Sequence, residues 1–151
     1  MATNKTAPAQ KPVIYQMIPR LFANCTEDCV PDGDIDRNGC GKLNDITPVV
    51  LNEIKDLGIT HVWYTGIIEH AHATDYSAFG ITPDNPGVVK GKAGSPYAIS
   101  DYYDIDPDVA VDVPARLQEF DALVKRTHHA GMKVLIDFVP NHVARRYHSD
   151  A

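Results

Sequence analysis

Residues 133–142 read Lys133-Val134-Leu135-Ile136-Asp137-Phe138-Val139-Pro140-Asn141-His142. From Lys133 to Val139 the run is nearly continuously apolar and rich in strand formers. A strand with one wet face alternates polar and apolar side chains. An unbroken apolar run fits a parallel strand covered by helices on both faces. Asp137 falls near the end of that strand, and Asn141 and His142 fall where the chain leaves it. Parallel α/β folds hold ligands at the carboxyl ends of their strands. Taken by itself, the stretch also reads as a polar strand exit with an Asn turn.

Working upstream, a helix precedes this strand. It starts near Asp112-Val113-Pro114, carries Leu117, Phe120, Leu123 and Val124 on one side, and closes at Gly131. Two earlier strands are predicted, over Val13–Ile18, ended by Pro19, and over His61–Ile68. Between them Thr47-Pro48 predicts a helix start, with Thr as cap and Pro at the first helical position. Val50, Leu51, Ile54 and Leu57 form its apolar stripe, and Gly58 is its stop signal. The segment from Glu69 to Val113 has repeated Gly and Pro and no helical stripe, so it reads as a long functional loop. Its aromatic residues Tyr76, Phe79, Tyr97, Tyr102 and Tyr103 argue against simple disorder.

Strand, helix, strand, helix, strand in this order predicts right-handed β-α-β units. Three strands leave sheet edges open and helices covering only part of the sheet. Residues 13–151 are therefore expected to be an incomplete α/β domain, preceded by a polar, flexible arm over residues 1–12. Bare faces of this kind favour self-association.

The composition, 44% hydrophobic and 23% charged, is that of a globular chain with a packed core. A net charge of -6 argues against a nucleic-acid partner, because phosphate binding is driven by Lys and Arg. No apolar run approaches the roughly 18 residues of a membrane span, so no membrane partner is expected. The first eleven residues lack the apolar centre of a signal peptide, and the compartment stays open. Cys25, Cys29 and Cys40 lack the matching His pair of a zinc site. They allow one disulfide with a spare thiol, or three thiols in a reducing compartment.

Asp137-Phe138-Val139-Pro140-Asn141-His142 resembles the first conserved region of the α-amylase family of glycoside hydrolases, which ends that family's third barrel strand. Val13-Ile14-Tyr15-Gln16 with Pro19-Arg20-Leu21-Phe22 resembles its first strand. The stretch from Lys42-Leu43-Asn44-Asp45-Ile46 through Leu57-Gly58-Ile59-Thr60-His61-Val62-Trp63 resembles its first helix and second strand. Tyr97-Ala98-Ile99-Ser100-Asp101-Tyr102-Tyr103 resembles the segment before its second helix. The matches keep their order from Val13 onward.

The resemblance implies a TIM-type (β/α)8 barrel of which the first three strands and two helices are present. It also implies a parent that cleaves or transfers α-glucosidic bonds with retention, and an α-glucan oligosaccharide or polysaccharide as partner. His142 matches the histidine that hydrogen-bonds the sugar at the cleavage subsite, and Tyr97 the tyrosine that stacks on it. Asp101 and Asp137 match acidic positions that organise the site. Asn141 matches a calcium ligand. As plain sequence, Tyr97 also reads as loop packing and Asp101 as a turn or cap. The family's nucleophile, general acid and third carboxylate follow strands four, five and seven. All three would lie beyond Ala151, so the chain is expected to be inactive alone.

Asp34-Ile35-Asp36-Arg37-Asn38-Gly39 places oxygen donors at alternate positions, as calcium loops do. Some relatives of the family bind calcium in this loop, and their ligands would map to Asp34, Asp36, Asn38 and the Cys40 carbonyl. Their final acidic ligand falls at Lys42. The same residues also read as a solvated acidic turn. His70 and His72 alternate on a loop without a third ligand in register, and His128-His129 lie near a helix end, where imidazole suits the dipole. Each is assigned a structural or solvent role.

Two other functional readings compete. One is a non-catalytic α-glucan-binding module, supported by the loop aromatics. The other is an independent nucleotide-binding domain, which would need a Gly-rich turn after the first strand. Gly33, Gly39 and Gly41 stand singly among acidic residues that would repel phosphate, so this reading ranks last.

Overall fold

The computed structural model describes residues 11–149, and the first ten residues of the polar arm lie outside them. Strand β1 (Ile14–Met17) stops before Pro19, which has no N–H for a ladder. It is followed by two one-turn helices, α1 (Pro19–Phe22) and α2 (Ile35–Asn38). Helix α3 (Pro48–Asp56) begins as expected: Thr47 accepts a hydrogen bond from Val50 N, and Pro48 takes the first position. Gly58, at φ +84°, supplies the left-handed exit. Strand β2 (His61–Tyr64) follows, then β3 (Ile68–His70), β4 (Ile99–Ile105), helix α4 (Arg116–His129) and β5 (Lys133–Ile136).

The three strands read as neighbours do pair, in the order β1-β2-β5, all parallel. Ile14 lies opposite His61, and His61 opposite Lys133. Met17, Leu51, Ile54, Val62, Tyr64 and Leu123 meet in one buried cluster between the sheet and helices α3 and α4. Each such side chain stabilises the fold by about 1.5–3 kcal/mol relative to exposure. Polar ties fix α4 on this core. Tyr64 Oη lies 2.6 Å from Thr127 Oγ1, and the Arg126 guanidinium donates to the carbonyls of Leu43 (2.7 Å) and Ile46 (3.2 Å). No helix of the described residues is long and apolar enough to cross a membrane.

Four readings need correction. The second strand ends at Tyr64 rather than Ile68, because Gly66 turns the chain at φ +71° into a different sheet. The third ends at Ile136, placing Asp137 just past it. The segment read as loop contains β3 and β4, an antiparallel pair with register shifts on both sides of Glu69. The acidic turn is not wholly irregular either, since Asp34 caps α2 by accepting from Arg37 N. Two apolar predictions also fail locally. Leu57 is 72% exposed at the end of α3, and β5 is half open, because β5 has a partner strand on one side only. The three cysteines are unpaired.

Candidate functional site

The carboxyl ends of β2 and β5 open onto a narrow cavity lined by Gly66, Pro96, Tyr97, Asp137 and Val139. Each element places its residue for a local reason. Gly66 adopts positive φ, and a Cβ there would lie 2.9 Å from Pro96 Cβ, so glycine lets the Pro96-Tyr97 segment close over the strand end. Asp137 is held by Trp63 of β2, whose indole N–H donates to Oδ1 at 2.5 Å. Its Oδ2 is buried and accepts no hydrogen bond among the described residues.

The exit after β5 is pinned from β4. Tyr102 O–H reaches the carbonyls of Val139 (2.7 Å) and His142 (3.2 Å), while its ring packs edgewise on Phe138. His142 turns its Nδ1 to the amide oxygen of Asn141 and does not line the cavity. Tyr97 and Asp137 are thus brought together, while His142 lies further along the exit after β5, turned toward Asn141. Asp101 lies apart, buried within β4 opposite Glu69, with Oδ1 accepting from Tyr103 N at 2.8 Å.

Of the calcium-loop residues, Asp34 and Asn38 line a shallow cleft with Arg20 and Asp108. Asn38 Oδ1 already accepts from Val30 N, and its amide nitrogen donates to Val30 O. Lys42 points its ammonium away, to the carbonyl of Asp108 at 2.5 Å. This donor set fits calcium only in part, since one of its oxygens closes the loop and a cation replaces an acid.

Sequence reasoning missed a buried polar network behind the strand ends. Arg20 forms an ion pair with Asp108, and Tyr76 O–H donates to the other oxygen of that carboxylate at 2.7 Å. Burial, the largest single influence, would raise the pKa of Asp108, but Arg20, with His72 and the Tyr76 hydroxyl, holds the carboxyl below its ordinary value. Asp104 pairs with Arg116. His70 and His72, read as loop residues, are both buried. The alternation His70-Ala71-His72 and its counterpart Asp106-Pro107-Asp108 were the available signal, but only the fold brings the two tripeptide patterns together.

A family model described as the alpha amylase catalytic domain matches residues 16–150. The chain belongs to the alpha-amylase family. Its three parallel strands and their helices are part of that family's (β/α)8 barrel. Among alpha-amylase family relatives, "Maltase 1" of Drosophila virilis is 35% identical over 130 residues, which are 86% of this chain and 15% of the relative. "Trehalose-6-phosphate hydrolase" of Bacillus subtilis is 29% identical over 97% of this chain and 20% of its own length. An alpha-amylase crystal structure from Lactobacillus plantarum superposes with a TM-score of 0.59 at 29% identity, covering 89% of this chain and 24% of that one. The chain therefore spans only about a fifth of the relatives it matches.

Proposed function

We propose that this chain supplies the substrate-orienting part of a retaining enzyme acting on α-glucosidic bonds of starch-like glucans. The observation that carries the reading is the meeting of Tyr97 and Asp137 in one cavity at the strand ends of an alpha-amylase family barrel. Tyr97 offers an aromatic face to the apolar C–H side of a sugar. His142 offers a ring nitrogen to its hydroxyls, and Asp137 orders the site from within the cavity, while Asp101 acts from β4, apart from it. Retention requires two carboxyl groups about 5–5.5 Å apart, one attacking and one protonating the leaving oxygen. The cavity holds one, and Trp63 occupies it. The chain alone is accordingly expected to release no reducing ends from maltoheptaose. Calorimetry should show weak binding of that sugar, loosened roughly fivefold in Tyr97→Ala, about 1 kcal/mol. Turnover by the pure chain, or binding indifferent to Tyr97, would refute the assignment.

Calcium at Asp34, Asp36, Asn38 and the Cys40 carbonyl, and at Asn141, belongs to the same reading. With Lys42 beside the loop, binding should be weak. Lys42→Asp restores an anion and should tighten it about tenfold, on the scale of a charge contact near the surface. Unchanged calcium titrations of the two proteins would remove the loop as a site.

Exposed Leu135, Ile136 and Phe138 on and just after β5 support self-association of the isolated chain. Sedimentation should then show mass rising with concentration, and a single monomer boundary throughout would contradict it.

A further inference from the structure

We infer that His72, Asp106 and Asp108 form a second metal site, built for a zinc-like divalent transition ion. One ring nitrogen of His72 and one oxygen of each carboxylate lie within 4.8 Å of one another, all three side chains being buried. Clusters of acids are common without ions, so the decisive feature is what these atoms lack. His72 is 5% exposed, yet its Nδ1 has no hydrogen-bond partner among the described residues. Asp106 is fully buried, and its Oδ2 accepts no well-directed hydrogen bond, although His70 Nδ1 lies 3.0 Å away. A buried imidazole nitrogen without a partner, close to a buried carboxylate oxygen whose neighbour is poorly aligned, carries a desolvation cost that a bound cation would remove.

The surroundings resemble the outer layer of a metal centre. Asp106 Oδ1 accepts from Asp108 N at 2.9 Å, fixing one carboxylate against the other. Tyr76 O–H and Arg20 hold the Asp108 carboxylate, and His70 flanks Asp106. The ring edges of His70 and Tyr76 set the plane of His72, at centroid distances of 6.4 and 5.4 Å. One imidazole with two carboxylates is a nitrogen and oxygen donor set of the zinc type, with a fourth position left for water. Calcium prefers six to eight oxygens and is disfavoured. Zinc bonds of about 2.0–2.2 Å put ligand atoms at most about 4.4 Å apart, a span of the same order as the 4.8 Å within which these three atoms lie. The ion would join the segment after β3 to the segment after β4. Arg20 is its competitor, since it neutralises one of the two carboxylates.

Cobalt(II), whose visible absorption reports its ligands, is the probe. One equivalent should bind the full chain with a nitrogen and oxygen spectrum and raise its thermal midpoint. His72→Gln should abolish that uptake, and Asp34→Asn should leave it intact. Arg20→Met removes the competing cation and should tighten binding about tenfold or more, on the coulombic scale of a unit charge beside a dication. Four results would overturn the site: no uptake by the unmodified chain, sulfur-to-cobalt charge-transfer bands pointing to Cys25, Cys29 or Cys40, uptake surviving in His72→Gln, or uptake lost in Asp34→Asn. If His72→Gln does not fold, the stoichiometry and spectrum of the unmodified chain decide.

Discussion

Arg20→Met is expected to destabilise the metal-free chain by about 3 kcal/mol, toward the lower end of what removing one partner of a buried ion pair costs. Asp108 is 1% exposed at its side chain and Arg20 17%, so the variant leaves a carboxylate stranded in the interior. Arg20 also stands 3.9 Å from Asp106, so losing it removes a fixed cation from two acids together. The pH dependence gives the sign. Because Asp108 titrates below its ordinary value when folded, its pairing stabilises the chain above that ordinary value and is lost on acidification. The variant should lack this acid-side loss. Urea midpoints at neutral and acid pH test both parts. A neutral-pH loss under about 1 kcal/mol would place the pair among the weak surface contacts.

The second large effect is expected at Glu69, and it runs the other way with pH. Burial in β3 pushes its carboxyl up to about 7, against a lowering bond from Ser100, and Asp104, Asp101 and Asp106 raise it further. Asp84, Arg146 and His148 line the same small cavity from other segments. A carboxyl raised on folding is protonated in the native state where the unfolded chain is already ionised. Stability should therefore fall as pH rises from about 4.5 to about 7 and level off above. At about 1.4 kcal/mol per unit the drop is bounded at about 3.5 kcal/mol. Glu69→Gln keeps the Ser100 contact without the charge, so it should flatten that slope and be the more stable protein at pH 8. An unchanged slope in the variant would overturn the assignment to Glu69.

The two predictions rest on the part of the molecule that the sequence showed least. Thr47-Pro48 and Gly58 marked the ends of α3 within a residue or two, because caps and stops act locally through backbone geometry. Lys133 to Ile136 announced a strand because its side chains are apolar from Val134 onward. Strand β4 announced nothing. Ile99-Ser100-Asp101-Tyr102-Tyr103-Asp104-Ile105 buries Ser, Asp and Ile alike and shows no two-residue alternation. Asp104 is tolerated inside because Arg116 pairs with it, and Asp106 and Asp108 just beyond the strand because Arg20 arrives from far upstream. Such compensation depends on distant residues and leaves no local pattern. Tyr97 and Asp137 were legible through family likeness, whereas their shared cavity depends on the Gly66 turn. His72 was assigned a structural or solvent role because its neighbours in space, Asp106 and Asp108, lie more than thirty residues further along the chain.

The placement of β2 has a kinetic consequence. It is the middle strand, yet neither partner is close in the chain: Ile14 pairs with His61 across the whole of α3, and His61 with Lys133 across β3, β4 and α4. Helices α3 and α4 can form early from local contacts, but the sheet must wait for two long closures. Refolding should accordingly be slow for a chain of this size, on the order of milliseconds to seconds, with β5 the last stave to dock.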